Sequence, residues 1–147
     1  GKPIVGIRTA NHALLLRKQT APDGFESWDT WDADIFGGSY TNHYGAGPEV
    51  SITVAANAAS HRILKDVAAA SIKGKGSLYV VNPLADSTTP LLIGAIQGKA
   101  PETIAWANRT KFGGKSFYTS LGHVDDFAQL EFKKLLANAV RWAASKD

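Results

Sequence analysis

Residues 113–127 constrain this chain more than any other stretch. Gly113-Gly114 turns into Lys115-Ser116-Phe117-Tyr118-Thr119-Ser120, which reads as a strand and ends on Leu121-Gly122-His123. Asp125 and Asp126 follow, and an amphipathic run then continues to Ala144. Strand, short loop, helix is the unit of an α/β domain. Ligands gather at such junctions because loops there lie outside the sheet and helix N-termini present free N–H groups. His123, Asp125 and Asp126 all lie at this point. The helix is expected over about 126–144. Phe132, Leu135, Leu136, Ala139, Val140 and Ala143 form its apolar stripe, and Glu131, Lys134, Asn138, Arg141 and Ser145 fall opposite. Asp126 is the expected N-cap, with Gln129 in the capping-box position.

Earlier in the chain, Ile4-Val5-Gly6-Ile7 is a short apolar run expected to be a buried strand. It is followed by Arg8-Thr9-Ala10-Asn11-His12 and a helical turn or two over 13–17. Strand, sharp turn, helix is the setting of a nucleophile elbow, Gly-x-nucleophile-x-Gly. Gly6 fits that pattern, Arg8 stands at the nucleophile position and Ala10 replaces the second glycine. A permanent cation cannot attack a carbonyl. Pro22-Asp23-Gly24 marks a turn, and Ser27 is placed to cap a short helix over 28–36, with Trp31 and Ile35 on one face. Residues 39–45 (Ser-Tyr-Thr-Asn-His-Tyr-Gly) read as a glycine-flanked loop. Residues 49–55 alternate as a half-exposed strand does, and 57–67 read as loop anchored by Ile63-Leu64. Strands over 77–81, 91–96, 103–107 and 116–121, joined by short loops, are expected to be antiparallel neighbours, with Asn82-Pro83 breaking the first.

Composition removes several function classes. One domain is the prior for 147 residues. No cysteine is present, so this chain has no thiolate nucleophile and no cysteine-ligated zinc. The net charge is +3, with sixteen basic residues scattered singly. No basic run is interleaved with aromatics, which argues against a nucleic-acid partner. The apolar runs are too short for a membrane span. Gly114-Lys115-Ser116 is not a phosphate loop, because Arg109 stands where that motif needs glycine and the strand follows rather than precedes.

The residues that carry chemistry are few. His43 and His123 are the candidate catalytic groups, since imidazole exchanges protons near neutral pH. Arg8, His12, Tyr40, Tyr44 and Asp125 are candidate substrate contacts, in loops whose rings and hydrogen-bonding edges suit a sugar. Each has a structural alternative: Arg8 in an ion pair, the tyrosines in packing, Asp125 and Asp126 as caps. No two of the four histidines share the close spacing of a metal-binding helix face. Should His12, His43 and His123 converge with Asp125, imidazole plus carboxylate would suit zinc. His61, beside Arg62, reads as a surface residue.

Several of these segments also carry a resemblance. Phe117-Tyr118-Thr119-Ser120-Leu121-Gly122-His123-x-x-Asp126-Phe127, with a helix ending Arg141-Trp142-Ala143-Ala144, resembles the C-terminal signature of the ThuA-like family (trehalose utilisation). Gly37-Gly38-x-Tyr40-x-x-His43-x-Gly45 matches another motif of that family. Residues 1–13 are similar to one of its subgroups, and residues 77–85, 89–94 and 104–106 agree as well. The resemblance implies one domain over 1–147 with a class I glutamine amidotransferase-like, flavodoxin-like fold, a three-layer α/β sandwich. It further implies that the chain is a piece of a longer one, roughly the C-terminal two-thirds of such a domain without its first β/α units. Strand 4–7 would then leave an open sheet edge, for self-association or for pairing with the missing N-terminal segment. The family name implies a carbohydrate-related role on a small, sugar-like ligand, with a hydrolase- or isomerase-like reaction as the enzymatic form. The alternative is a non-catalytic ligand-binding or scaffold domain that has lost the amidotransferase nucleophile.

Overall fold

The computed structural model describes residues 1–146. Eight strands and one long helix form a mixed α/β domain. The strands are β1 (Ile4–Ile7), β2 (Gly38–His43), β3 (Val50–Val54), β4 (Lys73–Gly74), β5 (Tyr79–Leu84), β6 (Thr89–Ala95), β7 (Glu102–Arg109) and β8 (Lys115–Thr119), and the helix is α1 (Leu130–Ala144). Six strands form one sheet in the order β1-β8-β7-β6-β3-β4. Only β1 and β8 pair in parallel, with Ile4 opposite Ser116 and Ile7 opposite Thr119. The short loops after β6 and β7 make β6, β7 and β8 an antiparallel meander, as their spacing predicts.

β7 and β8 are buried almost throughout, because both faces of the sheet are covered. Phe117 points into a core shared with Phe132, Leu135 and Ala139 of α1. Tyr118 and Trp106 point the other way, into a second cluster with Ile35, Phe36, Tyr79 and Val81. That second face is covered by a two-stranded ribbon of β2 and β5.

The ribbon corrects two expectations. Residues 39–45 were expected to be a loop, yet Gly38–His43 is a strand, antiparallel to β5 with two register shifts. Its outer residues are exposed and polar, so apolar alternation is absent. β5 in turn leaves the expected run of sheet neighbours and continues through Pro83 to Leu84. Having β2 as its only neighbour, it is an edge strand, where a missing N–H is tolerated. Gly38 allows the close approach: a Cβ there would sit 2.5 Å from Leu84 Cδ2 and 3.0 Å from Trp106 Cζ2.

The C-terminal helix is also interrupted. A short 3-10 turn covers Val124–Ala128, Gln129 is extended, and α1 begins only at Leu130. Asp126 is not the cap of α1, because its carboxylate accepts backbone N–H groups from Gly122, His123 and Lys75 at 2.8–2.9 Å. Gln129 stands at the N-cap of α1, where its carbonyl accepts the Lys133 N–H, but its side chain does not cap the helix. Its amide donates to the Lys73 carbonyl and accepts the Lys73 N–H, both at 2.8 Å. Val140, expected in the buried stripe, is 55 % exposed. The expected helix over 28–36 shrinks to one π-helical turn, Asp32–Phe36, although Trp31 and Ile35 do share a cluster.

Candidate functional site

The site is built where β1 ends. Arg8 follows β1 with φ of 49°, an uncommon conformation for a residue with a side chain, and this makes the turn abrupt. Tyr118 Oη donates to the Arg8 carbonyl at 2.6 Å. The Arg8 guanidinium lies 4.9 Å from the centre of the Tyr79 ring and donates to the Ser120 carbonyl at 3.5 Å. Gly76 and Gly122 flank the side chain, and a Cβ on either would press against it. Arg8 therefore joins three segments: the elbow, the start of β5 and the turn after β8.

A 3-10 turn over Arg8–His12 brings His12 onto the ribbon. The His12 ring stacks on Tyr40 at 4.2 Å between centroids. The Tyr40 hydroxyl is hydrogen-bonded to His43 Nδ1. Tyr79 sits beneath, with centroids 4.9 Å from Tyr40 and 6.0 Å from His43, because β2–β5 register sets His43 opposite Tyr79. Arg17 lies 5.1 Å from the Tyr40 ring centre. The aromatic rings thus contact one another and the two arginines. His43, at the end of β2, is exposed to solvent.

The expected residues divide cleanly. Arg8, His12, Tyr40 and His43 come together. Tyr44, one residue past the end of β2, does not join them: it packs against the core on the α1 side, with Lys99 Nζ 5.4 Å from its ring. His123 follows Gly122, which rests against Arg8, so it borders the cluster without a direct contact to it. Its Nδ1 accepts the Asp125 N–H at 3.3 Å and lies 3.5 Å from the Asp125 carboxylate, which is turned to solvent. Asp125 is therefore bound to His123 and not to the cluster. Among the described residues no three histidine, aspartate or glutamate side chains are placed to hold a metal ion. The zinc set of His12, His43, His123 and Asp125 does not assemble, since Asp125 and His123 pair with each other in the turn after β8 and do not converge with His12 and His43.

Four residues enter that the sequence did not single out. Tyr79 and Arg17 are two. Asn11 is wholly buried, with Oδ1 2.7 Å from His12 Nδ1 and with Nδ2 lacking any hydrogen-bond partner. Asp32 is buried nearby, and its charge acts on His12. Tyr79 was readable only by pairing β5 with residues 38–43, which lack strand alternation.

Burial lowers the His12 pKa from its ordinary 6.5, with Arg17 adding to the effect and Asp32 opposing it. His61 is lowered too, by burial first and then by Arg62. It is half-buried, not simply a surface residue: its ring packs 5.7 Å from Trp142 and its Nδ1 accepts the Ile63 N–H. Below 6.5 the unfolded chain binds protons that these two folded histidines resist, so their contribution to stability is whole above that value and is lost as pH falls toward their lower folded values. The melting temperature should drop between pH 7.5 and pH 5.5, and His61→Gln should flatten part of the drop. Asp34 and Glu131, lowered by hydrogen bonds from ordinary values of 3.8 and 4.5, titrate outside that window.

Among curated proteins no match is found. Residues 17–143 match the family model for ThuA, described as trehalose utilisation. The matched span holds Tyr40, His43, Tyr79 and His123, and it begins after Arg8 and His12. Because it covers the greater part of the chain, this protein belongs to the ThuA family.

Proposed function

We propose that the cluster of Arg8, His12, Tyr40, His43 and Tyr79 binds a sugar or sugar derivative, and that His43 moves a proton on it. The observation that carries this reading is the hydrogen bond between the Tyr40 hydroxyl and His43 Nδ1, with the His12 ring stacked on Tyr40. Two proton-exchanging groups are coupled there, and His43 is open to solvent. The family description supports a carbohydrate ligand. Arg8 would donate to a hydroxyl or anionic substituent. His123 is the second candidate proton carrier, reached by a ligand long enough to pass Arg8.

Trehalose and other small sugars, tested by thermal melting, should raise the midpoint of the wild-type chain. At a hundredfold excess over Kd the gain is about 2.7 kcal/mol, several degrees for a domain of this size. His43→Ala should keep the fold, because the residue is exposed, and should lose both the shift and any turnover. If no sugar moves the wild-type midpoint, the reading is wrong.

A second reading, binding without turnover, has its own observation. Arg8 occupies the elbow with its guanidinium already engaged, and the chain has no cysteine. A ligand-induced shift with no sugar product would favour it. We further propose that the domain is a relative of the class I glutamine amidotransferase fold, on the strength of the strand–elbow–turn at Arg8. The free edge of β1, which pairs only with β8, supports docking of another strand from a second copy or from chain outside these residues. Sedimentation should then show a concentration-dependent dimer, and a monomer at all concentrations would remove the second-copy form.

A further inference from the structure

Arg62, Lys65, Lys133, Lys134 and Arg141 line one open groove of about 760 Å³ between α1 and the turn over 62–66. Asp66 is its sole acidic lining residue. Five positive charges, set against Asp66 and the Glu131 that pairs with Lys134, leave +3, as much as the whole chain carries. The basic excess of the molecule is therefore concentrated here. Lys134 is paired with Glu131 at 2.7 Å, and Arg141 donates to the Asn138 side-chain oxygen Oδ1 at 3.5 Å. Arg62, Lys65 and Lys133 have no ion-pair partner among the described residues.

The walls are fixed. Asn138 Nδ2 donates to the carbonyls of Ile63 and Lys65 at 3.1 and 2.8 Å, which clamps the turn to the helix. Glu131 accepts the Ala68 N–H at 2.7 Å further along. Ile63 and Leu64 are buried beneath. Like charges held on rigid walls repel, and an anion between them relieves that repulsion. Arginines offer forked donors for carboxylate or phosphate, and lysines offer point charges. The volume falls within the roughly 300–1,000 Å³ of small-molecule sites. The one lining aromatic, Trp142, has Lys115 Nζ 5.2 Å from its ring centre and the His61 ring at 5.7 Å, so it offers no free platform for a nucleobase.

We propose that this groove binds a small, multiply charged oxyanion, a polyphosphate or polycarboxylate. α1 covers the Phe117 face of the sheet and the Tyr40–His43 cluster lies on the Tyr118 face, so this is a second site, independent of the sugar reading.

The test is titration calorimetry at low ionic strength with pyrophosphate, citrate and a short DNA duplex. The proteins are the wild type, the double variant Lys65→Glu/Arg141→Glu, and Lys2→Glu as a remote control. Pyrophosphate or citrate should bind the wild type and Lys2→Glu alike, with affinity falling as salt rises. The double variant should bind roughly tenfold more weakly, as expected for two exposed charge contacts reversed. Pyrophosphate alone would assign phosphate chemistry, and citrate alone carboxylate chemistry. Should the double variant fail to melt cooperatively, Arg62→Gln/Lys133→Gln takes its place. The proposal is overturned if neither anion binds, if the groove variants bind as well as the wild type, or if only the duplex binds.

Discussion

Replacing Trp106 with alanine should lower stability by about 3–5 kcal/mol, the range for removing a large aromatic from a core. Trp106 is fully buried at the centre of β7. Its ring packs 4.6 Å from Tyr118, and its Nε1 donates to the Phe36 carbonyl at 2.6 Å. It also fills the space left by the missing side chain of Gly38, so the ribbon rests on it. Removal leaves a cavity under β2 and an unmet carbonyl at Phe36. A drop of about 10 °C or more in the melting midpoint follows for a domain near 150 residues. Trp106→Phe separates the two contributions: it keeps most of the volume and loses only the hydrogen bond, at about 1–2 kcal/mol. A loss under 1 kcal/mol in the alanine variant would mean that Trp106 does not support the ribbon.

Asp126→Ala should be nearly as damaging, about 3 kcal/mol or more. The carboxylate is wholly buried and accepts three backbone N–H groups, from Gly122, His123 and Lys75. Each buried donor left unmet costs about 1–3 kcal/mol. The effect should reach beyond stability, because this carboxylate sets the Gly122-His123 turn and Gly122 rests against Arg8. Asp126→Asn retains one acceptor oxygen and should fall between wild type and alanine in chemical denaturation. Equal stability of all three proteins would show that the N–H groups find other partners.

The legible parts of the chain share a cause. β6, β7 and β8 declare themselves because they are apolar runs bounded by turns, and their short connections fix their pairing. Tyr40 and His43 stand out in sequence because rings and glycines crowd residues 37–45, and His12 because it follows the apolar run at 4–7. What stayed hidden depends on partners distant in sequence. β2 lacks strand alternation, since two register shifts against β5 break its period of two and residues 41–43 are all exposed. The break at Gln129 is set by Lys73, and Asp126 is diverted from capping by the backbone at Lys75. Tyr79 enters the site only through the β2–β5 register. The basic groove has the same origin: Arg62 and Lys65 meet Lys133 and Arg141 only because Asn138 binds the turn at Ile63.

Arg8 also has a kinetic meaning. Its carbonyl is bound by Tyr118 and its guanidinium reaches Ser120, residues 110 and 112 positions away. Closing so long a loop carries an entropic cost that grows only slowly with length, but the rate of folding falls as contacts become more distant in sequence. Helix α1 and the β6–β8 meander can form from neighbouring residues, whereas β1 must wait for β8. The elbow, and with it the Arg8–Tyr79 contact, is then expected to form after the meander and α1, and a φ-value near zero for Tyr118→Phe would check it. A chain released from synthesis before β8 would lack the partner strand of β1 and the Tyr118 hydroxyl that holds the Arg8 carbonyl.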